Sequence, residues 1–260
     1  MAGPTWDPAQ YLRFADSRAR PFFDLLAPVH ADAPRQVVDA GCGPGNLTVT
    51  LAERWPTAEV LGFDSSPAMV ERAAVCTAPR VRFTLDDART WQPPAPVDVL
   101  VSNALLHWIP EHDRLAARWL AYLAPGGWLA FQVPGNFASP SHGAIDEVLA
   151  APRWRTALPD GVAGRARSFD PEHYLQVLAD AGATVDAWET TYVHVLDGPA
   201  PVLEWMKGTA LRPVLDALGE SDLRAEFLAE LNERLLALYP PGPHGTVFPF
   251  RRVFVVARRA

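Results

Sequence analysis

The segment Gln36-Val37-Val38-Asp39-Ala40 runs without a break into Gly41-Cys42-Gly43-Pro44-Gly45. A short apolar run with valines reads as a strand. Glycines placed directly after it let the backbone turn tightly and let a ligand approach the start of the next helix. That helix reads from about Asn46 to Arg54, with Leu47, Leu51 and Trp55 on one face. Strand, glycine turn and helix in this order form one unit of a parallel sheet, which commits the chain to an α/β layered fold.

The same rhythm continues. Glu59 to Phe63 reads as a second strand ending at Asp64, and Ser66-Pro67 then opens a helix, because proline suits the first helical turn. Val81 to Thr84 and Val97 to Val101 read as strands three and four. A helix from about Asp113 to Leu123 stops at Pro125-Gly126-Gly127, and Trp128 to Val133 gives a fifth strand. The pattern breaks at residues 134–171, where one short helix near 141–150 is expected, and resumes with a helix at 171–181 and a strand at 184–192. A second interruption covers 193–250, with helical patterns near 200–209, 212–218 and 221–238. Arg252 to Ala257 closes the series as a buried strand, expected to insert antiparallel. Seven strands in this order predict a doubly wound, Rossmann-like sheet in a single domain over 1–260. A helical lid is expected from segments near 1–30, 134–171 and 193–250, over the strand ends where such sheets bind ligands.

Composition narrows the function classes. With 260 residues, 49% hydrophobic and 20% charged, the chain is an ordinary globular one. A formal charge of −7 disfavours nucleic acid or an anionic membrane surface as partner. No apolar stretch reaches the roughly 18 residues of a membrane span. The first residues lack a signal-peptide pattern, and two cysteines are too few for a disulfide framework, so a cytoplasmic location is expected. Lys207 is the only lysine among 23 basic residues, so any single arginine is weaker evidence than usual.

The glycine turn does not fit a nicotinamide dinucleotide. The third glycine of that fingerprint is replaced by Asn46, and Asp39 sets a carboxylate beside a turn that would receive an anionic pyrophosphate. A cation suits the geometry better, and S-adenosylmethionine carries both a sulfonium and an ammonium. Asp64 falls where a ribose presents its two hydroxyls. The pair Asp86-Asp87 follows the third strand and suits the adenine amino group, while Asn103 follows the fourth, near the expected sulfonium. Three strand-end carboxylates in register with the glycines carry the reading.

With these residues in place, the chain resembles the class I S-adenosylmethionine-dependent methyltransferases, and more specifically the trans-aconitate 2-methyltransferase family. The resemblance runs nearly end to end: Trp6-Asp7-Pro8, Arg18-Ala19-Arg20-Pro21, Asp39 to Asn46, Gly62 to Met69, Asn103 to Trp108, Gly208 to Pro213 and Phe254 to Arg259. The glycine segment identifies the superfamily alone; the N-terminal, Leu-Arg-Pro and C-terminal segments are more specific. Expected cofactor contacts are Asp39, Gly41, Cys42, Gly43, Gly45, Asp64, Ser65, Met69, Asp87, Ala88 and Asn103. The implied reaction is methyl esterification of one carboxylate of trans-aconitate.

That reaction needs no general base, because a carboxylate with an ordinary pKa near 4 is already ionised. It needs alignment and a dry pocket. Trp108, Tyr192 and Trp205 are candidates to wall it, and His107 to shape it or to hydrogen-bond the acid. The non-reacting carboxylates call for arginine forks. Arg18, Arg20, Arg212 and Arg251 are the first candidates, Arg13 and Arg252 the second. His107 and His112 lack the spacing of a helical metal pair, so no metal is expected. The alternative is a different small acid, or a hydroxyl or amine of a secondary metabolite, which would want a base and raise the importance of His107. A small anionic substrate is the expected partner; the sequence leaves monomer and homodimer both open.

Overall fold

The structure, a computed structural model, describes residues 15–76, 78–159, 161–162 and 167–260, with side chains from residue 19 onward. Arg13, the Arg18 side chain and the opening Trp6-Asp7-Pro8 segment lie outside the described residues. The described chain groups into two compact units, one of residues 15–134, 167–190 and 252–260, the other of 135–162 and 191–251.

The first unit is built on a seven-stranded sheet: β1 (Gln36–Ala40), β2 (Glu59–Asp64), β3 (Val81–Leu85), β4 (Val97–Asn103), β5 (Leu123–Pro134), β6 (Ala183–Leu196) and β7 (Thr246–Arg259). Their lateral order is β3-β2-β1-β4-β5-β7-β6. Strands β1 to β5 pair in parallel, and β7 enters antiparallel to β5. The expected strand sequence and the antiparallel insertion are both present. Side chains alternate across a strand. One face thus presents Val38, Ala40, Leu61, Phe63, Leu129, Phe131, Val253 and Val255 to helices His112–Leu120 and Pro171–Asp180, through Trp119, Leu115, Tyr174 and Leu178. Against the other face, helix Ala15–Leu26 packs on β5 and helix Thr48–Arg54 on β2.

The larger boundary differences from the sequence reading fall at β5, β6 and β7, while β4 runs on to include Asn103 and the helix before β5 ends at Leu120. Strand β5 begins at Leu123 rather than Trp128, because the chain continues through Pro125-Gly126-Gly127 with Gly126 at φ 76° and a register irregularity opposite Val97–Val99. Strands β6 and β7 run on to Leu196 and back to Thr246, so both reach into the segments read as an interruption. A helix at Pro152–Ala157 has no counterpart in the sequence reading.

The second unit is helical. Its core gathers Trp154, Trp205, Phe227, Leu231, Leu235, Phe248 and Phe250 from helices Pro152–Ala157, Pro201–Lys207 and Asp222–Leu238 and the adjoining part of β7. The longest helix is capped by Ser221, whose hydroxyl accepts the Arg224 N–H at 3.4 Å. Glu230 on that helix accepts the Trp154 indole N–H at 2.9 Å, which satisfies a donor that burial would otherwise leave costly.

A buried relay in the first unit pins the loop after β4. The Phe169 N–H donates to the Tyr174 hydroxyl oxygen at 3.1 Å. The Tyr174 hydroxyl lies 2.7 Å from His112 Nε2, and His112 Nδ1 lies 3.0 Å from the Ile109 carbonyl. A carbonyl can only accept, so Nδ1 carries the proton, Nε2 accepts, and the tyrosine donates. Burial pushes the His112 pKa down, against opposing effects of the Ile109 carbonyl and Asp113, with His173 adding to the depression. The Tyr174→Phe variant leaves the buried His112 Nε2 and the part-buried Phe169 N–H without their partner and is expected to lose about 2 kcal/mol, read as a lower midpoint of thermal unfolding. The sign of the pH effect follows from the depressed histidine. The fold keeps His112 neutral while the unfolded chain protonates it near its ordinary 6.5. Its contribution is therefore complete above pH 6.5 and declines as the pH falls below it. The variant, lacking the bond that protonation breaks, will show a shallower decline over that range.

Candidate cofactor-binding site

The glycine turn is shaped from below by protein side chains. Gly41, Gly43 and Gly45 all sit at positive φ, at 75°, 55° and 80°. A Cβ on Gly41 would lie 2.8 Å from the Leu105 Cβ, and one on Gly45 would lie 2.8 Å from both the Ala73 Cβ and the Phe83 ring. The Phe83 ring also fills the space over Gly62, where a Cβ would meet it at 2.7 Å. Leu105 and Phe83 thus occupy the volume that side chains on the turn would need. The turn is tied to β2 by the Gly41 and Cys42 N–H groups, which donate to the Phe63 carbonyl at 2.8 and 3.0 Å.

Two carboxylates flank this turn. Asp39 is 2% exposed and accepts the Thr48 hydroxyl at 2.6 Å. Burial pushes its pKa up to about 6, opposed by the Thr48 hydrogen bond and reinforced by the nearby charge of Asp64. Asp64 accepts the Gly43 N–H at 3.0 Å and the Ser66 N–H at 2.9 Å. Its pKa is also raised by burial, against the backbone donors of Ser66, Gly43 and Ser65. No cationic side chain among the described residues pairs with either carboxylate. Burial disfavours the charged form of both acids, with the charge of Asp64 adding to it at Asp39, and a bound cation would relieve this. This donor set fits a sulfonium–ammonium ligand and disfavours a phosphate.

Ser66 caps the helix Pro67–Ala73 by accepting the Met69 N–H at 3.4 Å, with Met69 buried and Ser65 exposed beside Asp64. Asp87 differs from its neighbours. Its carboxylate is paired with Arg89, whose hydrogen bond holds its pKa below the ordinary range, and Ala88 behind it is buried. Asp86 accepts the Thr84 hydroxyl at 2.9 Å. The Cys42 thiol is buried and pushed up first by desolvation and then by Asp39 and Asp64, so it stays protonated and serves as a small packing group. Asn103 ends β4 half-buried and accepts the Gln132 side-chain N–H at 2.6 Å.

His107 and Trp108 form a short 3-10 turn directly after Leu105, their rings 4.8 Å apart, and the His107 carbonyl accepts the Arg167 N–H at 3.3 Å. Arg20 is exposed on the first unit's N-terminal helix, 3.5 Å from Asp24. The remaining acceptor-site candidates belong to the second unit. Arg212 lies 3.4 Å from Asp216, Arg251 donates to the Gly135 carbonyl at 3.0 Å, Tyr192 is buried near His194, and Trp205 is packed among His194, Phe248 and Phe250. Thr48, Leu105, Phe83 and Gln132 escaped the sequence reading. For Thr48 a signal existed: a hydroxyl in the first turn of the helix that follows a strand-end aspartate.

Residues 11–187 match the family model described as a methyltransferase domain. A trans-aconitate 2-methyltransferase from Streptomyces avermitilis is 53% identical over 99% of this chain and 98% of its own length. Among solved structures, the YcgJ protein from Bacillus subtilis aligns over 94% of this chain and 98% of its own at a TM-score of 0.58 and 11% identity. The [4+2]-cyclase SpnF aligns over 93% and 80% at 0.57 and 20% identity. Those two likenesses speak for the fold alone, and the second shows that the fold by itself does not set the reaction. Among the described residues no helix is long and apolar enough to cross a membrane. The methyltransferase-domain model over 11–187 and the near-complete match to the curated relative place the chain: it belongs to the methyltransferase-domain family and, within it, to the family of the trans-aconitate 2-methyltransferases.

Proposed function

We propose that this protein transfers a methyl group from S-adenosylmethionine to a carboxylate oxygen of trans-aconitate, in the cytoplasm. The observation that carries the reading is the uncompensated pair Asp39 and Asp64 flanking the glycine turn, in a chain 53% identical to a relative of that name. When bound, the cofactor supplies an electrophilic methyl on a sulfonium. The chain's own residues then have limited work. Asp39 and the backbone of Gly41 to Gly45 hold the amino-acid end, Asp64 and Ser65 take the ribose hydroxyls, and Met69, Asp87 and Ala88 border the adenine. The acceptor is ionised at neutral pH and no proton has to be removed. His107 and Trp108 therefore shape the acceptor side and exclude water, and Arg18 and Arg20 are the proposed forks for the remaining carboxylates.

Incubating the purified protein with S-adenosylmethionine and a panel of trans-aconitate, cis-aconitate, citrate, isocitrate and monocarboxylates tests this. The expected result is a product one methyl heavier, chiefly from trans-aconitate, that mild base returns to the acid. A base-stable methyl product from a hydroxyl or amine, or no product from any acid with cofactor binding intact, overturns the substrate assignment.

A further inference from the structure

We propose that Gln132, itself oriented by Arg252, is a positioning residue that turns the Asn103 amide so that its N–H donors face the acceptor, which selects ionised acids over alcohols and amines. The inference rests on the functional reading above. Arg252 Nη1 lies 3.1 Å from Gln132 Oε1, and Gln132 Nε2 lies 2.6 Å from Asn103 Oδ1. Gln132 is 1% exposed and Arg252 5%, so these two are dry, while Asn103 at the end of the row is half-buried.

The polarity of the row is dictated by its charged end. A guanidinium has donors and no acceptor, so the Gln132 atom facing it must be the amide oxygen. The other end of that amide is then the NH2, and it can only be met by an acceptor, which is Asn103 Oδ1. Among the described residues no further partner holds the Asn103 side chain, so its Nδ2 donors are what remains for a ligand. In register, Asn103 pairs with Gln132 between parallel strands, and Gln132 with Phe254 two residues beyond Arg252. By strand alternation Asn103, Gln132 and Arg252 therefore lie on the same sheet face as Asp39.

An ionised carboxylate can only accept hydrogen bonds, whereas hydroxyl and amine acceptors bring protons of their own that need an acceptor. A fixed pair of N–H donors favours the first and leaves the others mismatched. Gln132→Glu reverses the row: its carboxylate still accepts from Arg252 but can no longer donate, so Asn103 rotates to give its N–H to Glu and presents its oxygen instead.

The test compares wild type, Gln132→Glu, Asn103→Ala and the double variant in the methylation assay. Losing a hydrogen bond to a charged partner predicts a rise in KM for trans-aconitate of at least about tenfold in Gln132→Glu, with the S-adenosylmethionine Kd within about threefold. In the Asn103→Ala background the same change adds less than about twofold, because the residue through which it acts is gone. Gln132→Met, which removes the relay without reversing it, falls between wild type and Gln132→Glu and provides a second variant should the glutamate disturb folding. Additive losses in the cycle, or a loss of cofactor affinity in place of acid affinity, overturn the inference while wild-type turnover keeps the functional reading. Absence of acid methylation by the wild type overturns both.

Discussion

Replacing Asp39 by asparagine will make the protein more stable and its cofactor affinity worse. Asp39 is charged at neutral pH inside the fold although its environment prefers it protonated, with a pKa pushed from 3.8 up to about 6. The shift corresponds to about 3 kcal/mol of destabilisation at neutral pH, at 1.36 kcal/mol per pKa unit. Asparagine keeps the shape and can still accept the Thr48 hydroxyl. A gain of about 1–3 kcal/mol in unfolding free energy is expected, which for a chain of this size raises the thermal midpoint by several degrees. The sign can be checked by pH. The folded pKa lies above the unfolded one, so the penalty is present above about pH 6 and vanishes as the pH falls toward 4. The stability gap between variant and wild type must close over that interval. Cofactor affinity moves the other way. A hydrogen bond to a charged partner is worth about 1.5–3 kcal/mol, so calorimetry should show S-adenosylmethionine binding weakened roughly 10- to 100-fold. In the wild type the same affinity should decline below pH 6 as Asp39 takes up a proton. A variant that is less stable and binds equally well would remove Asp39 from the site.

That residue was legible in the sequence because its meaning is local. A carboxylate between a valine strand and a glycine turn stands out from the letters alone, and Ser66-Pro67 announces its cap in two letters. The ends of β6 and β7 were not legible. Pro249 sits inside Thr246–Arg259, and a proline within a run argues against a strand when read alone. The pairing of Asn103 with Gln132 joins residues 29 apart, and that of Gln132 with Arg252 joins residues 120 apart. Such contacts arise from lateral strand order, and a one-dimensional pattern does not carry it.

The second large effect is expected at Gly45. Gly45→Ala combines a left-handed backbone at φ 80° with a Cβ 2.8 Å from both Ala73 and the Phe83 ring. A non-glycine residue there costs about 1–2 kcal/mol in backbone strain, and overpacking adds about 1–3 kcal/mol. Denaturant titration should show a loss of roughly 2–5 kcal/mol, and the displaced turn should abolish cofactor binding. Gly43→Ala is the control. Its Cβ would meet nothing within 4 Å, so the backbone cost alone applies. If the two alanine variants prove equally stable, the claim that Phe83 shapes the turn is wrong.

The lateral order β5-β7-β6 has a consequence for how the chain is made. A ribosome delivers β6 before β7, yet β7 must lie between β5 and β6. Until β7 emerges, β5 keeps one hydrogen-bonding edge open and β6 has no neighbour in the sheet. The nascent protein therefore waits through residues 197–245 with one edge of β5 and both edges of β6 unpaired, the condition under which intermediates aggregate. The helices of that span, with Trp205 and Phe227 among their core residues, are synthesised in the same interval, before β7 is available to close the sheet.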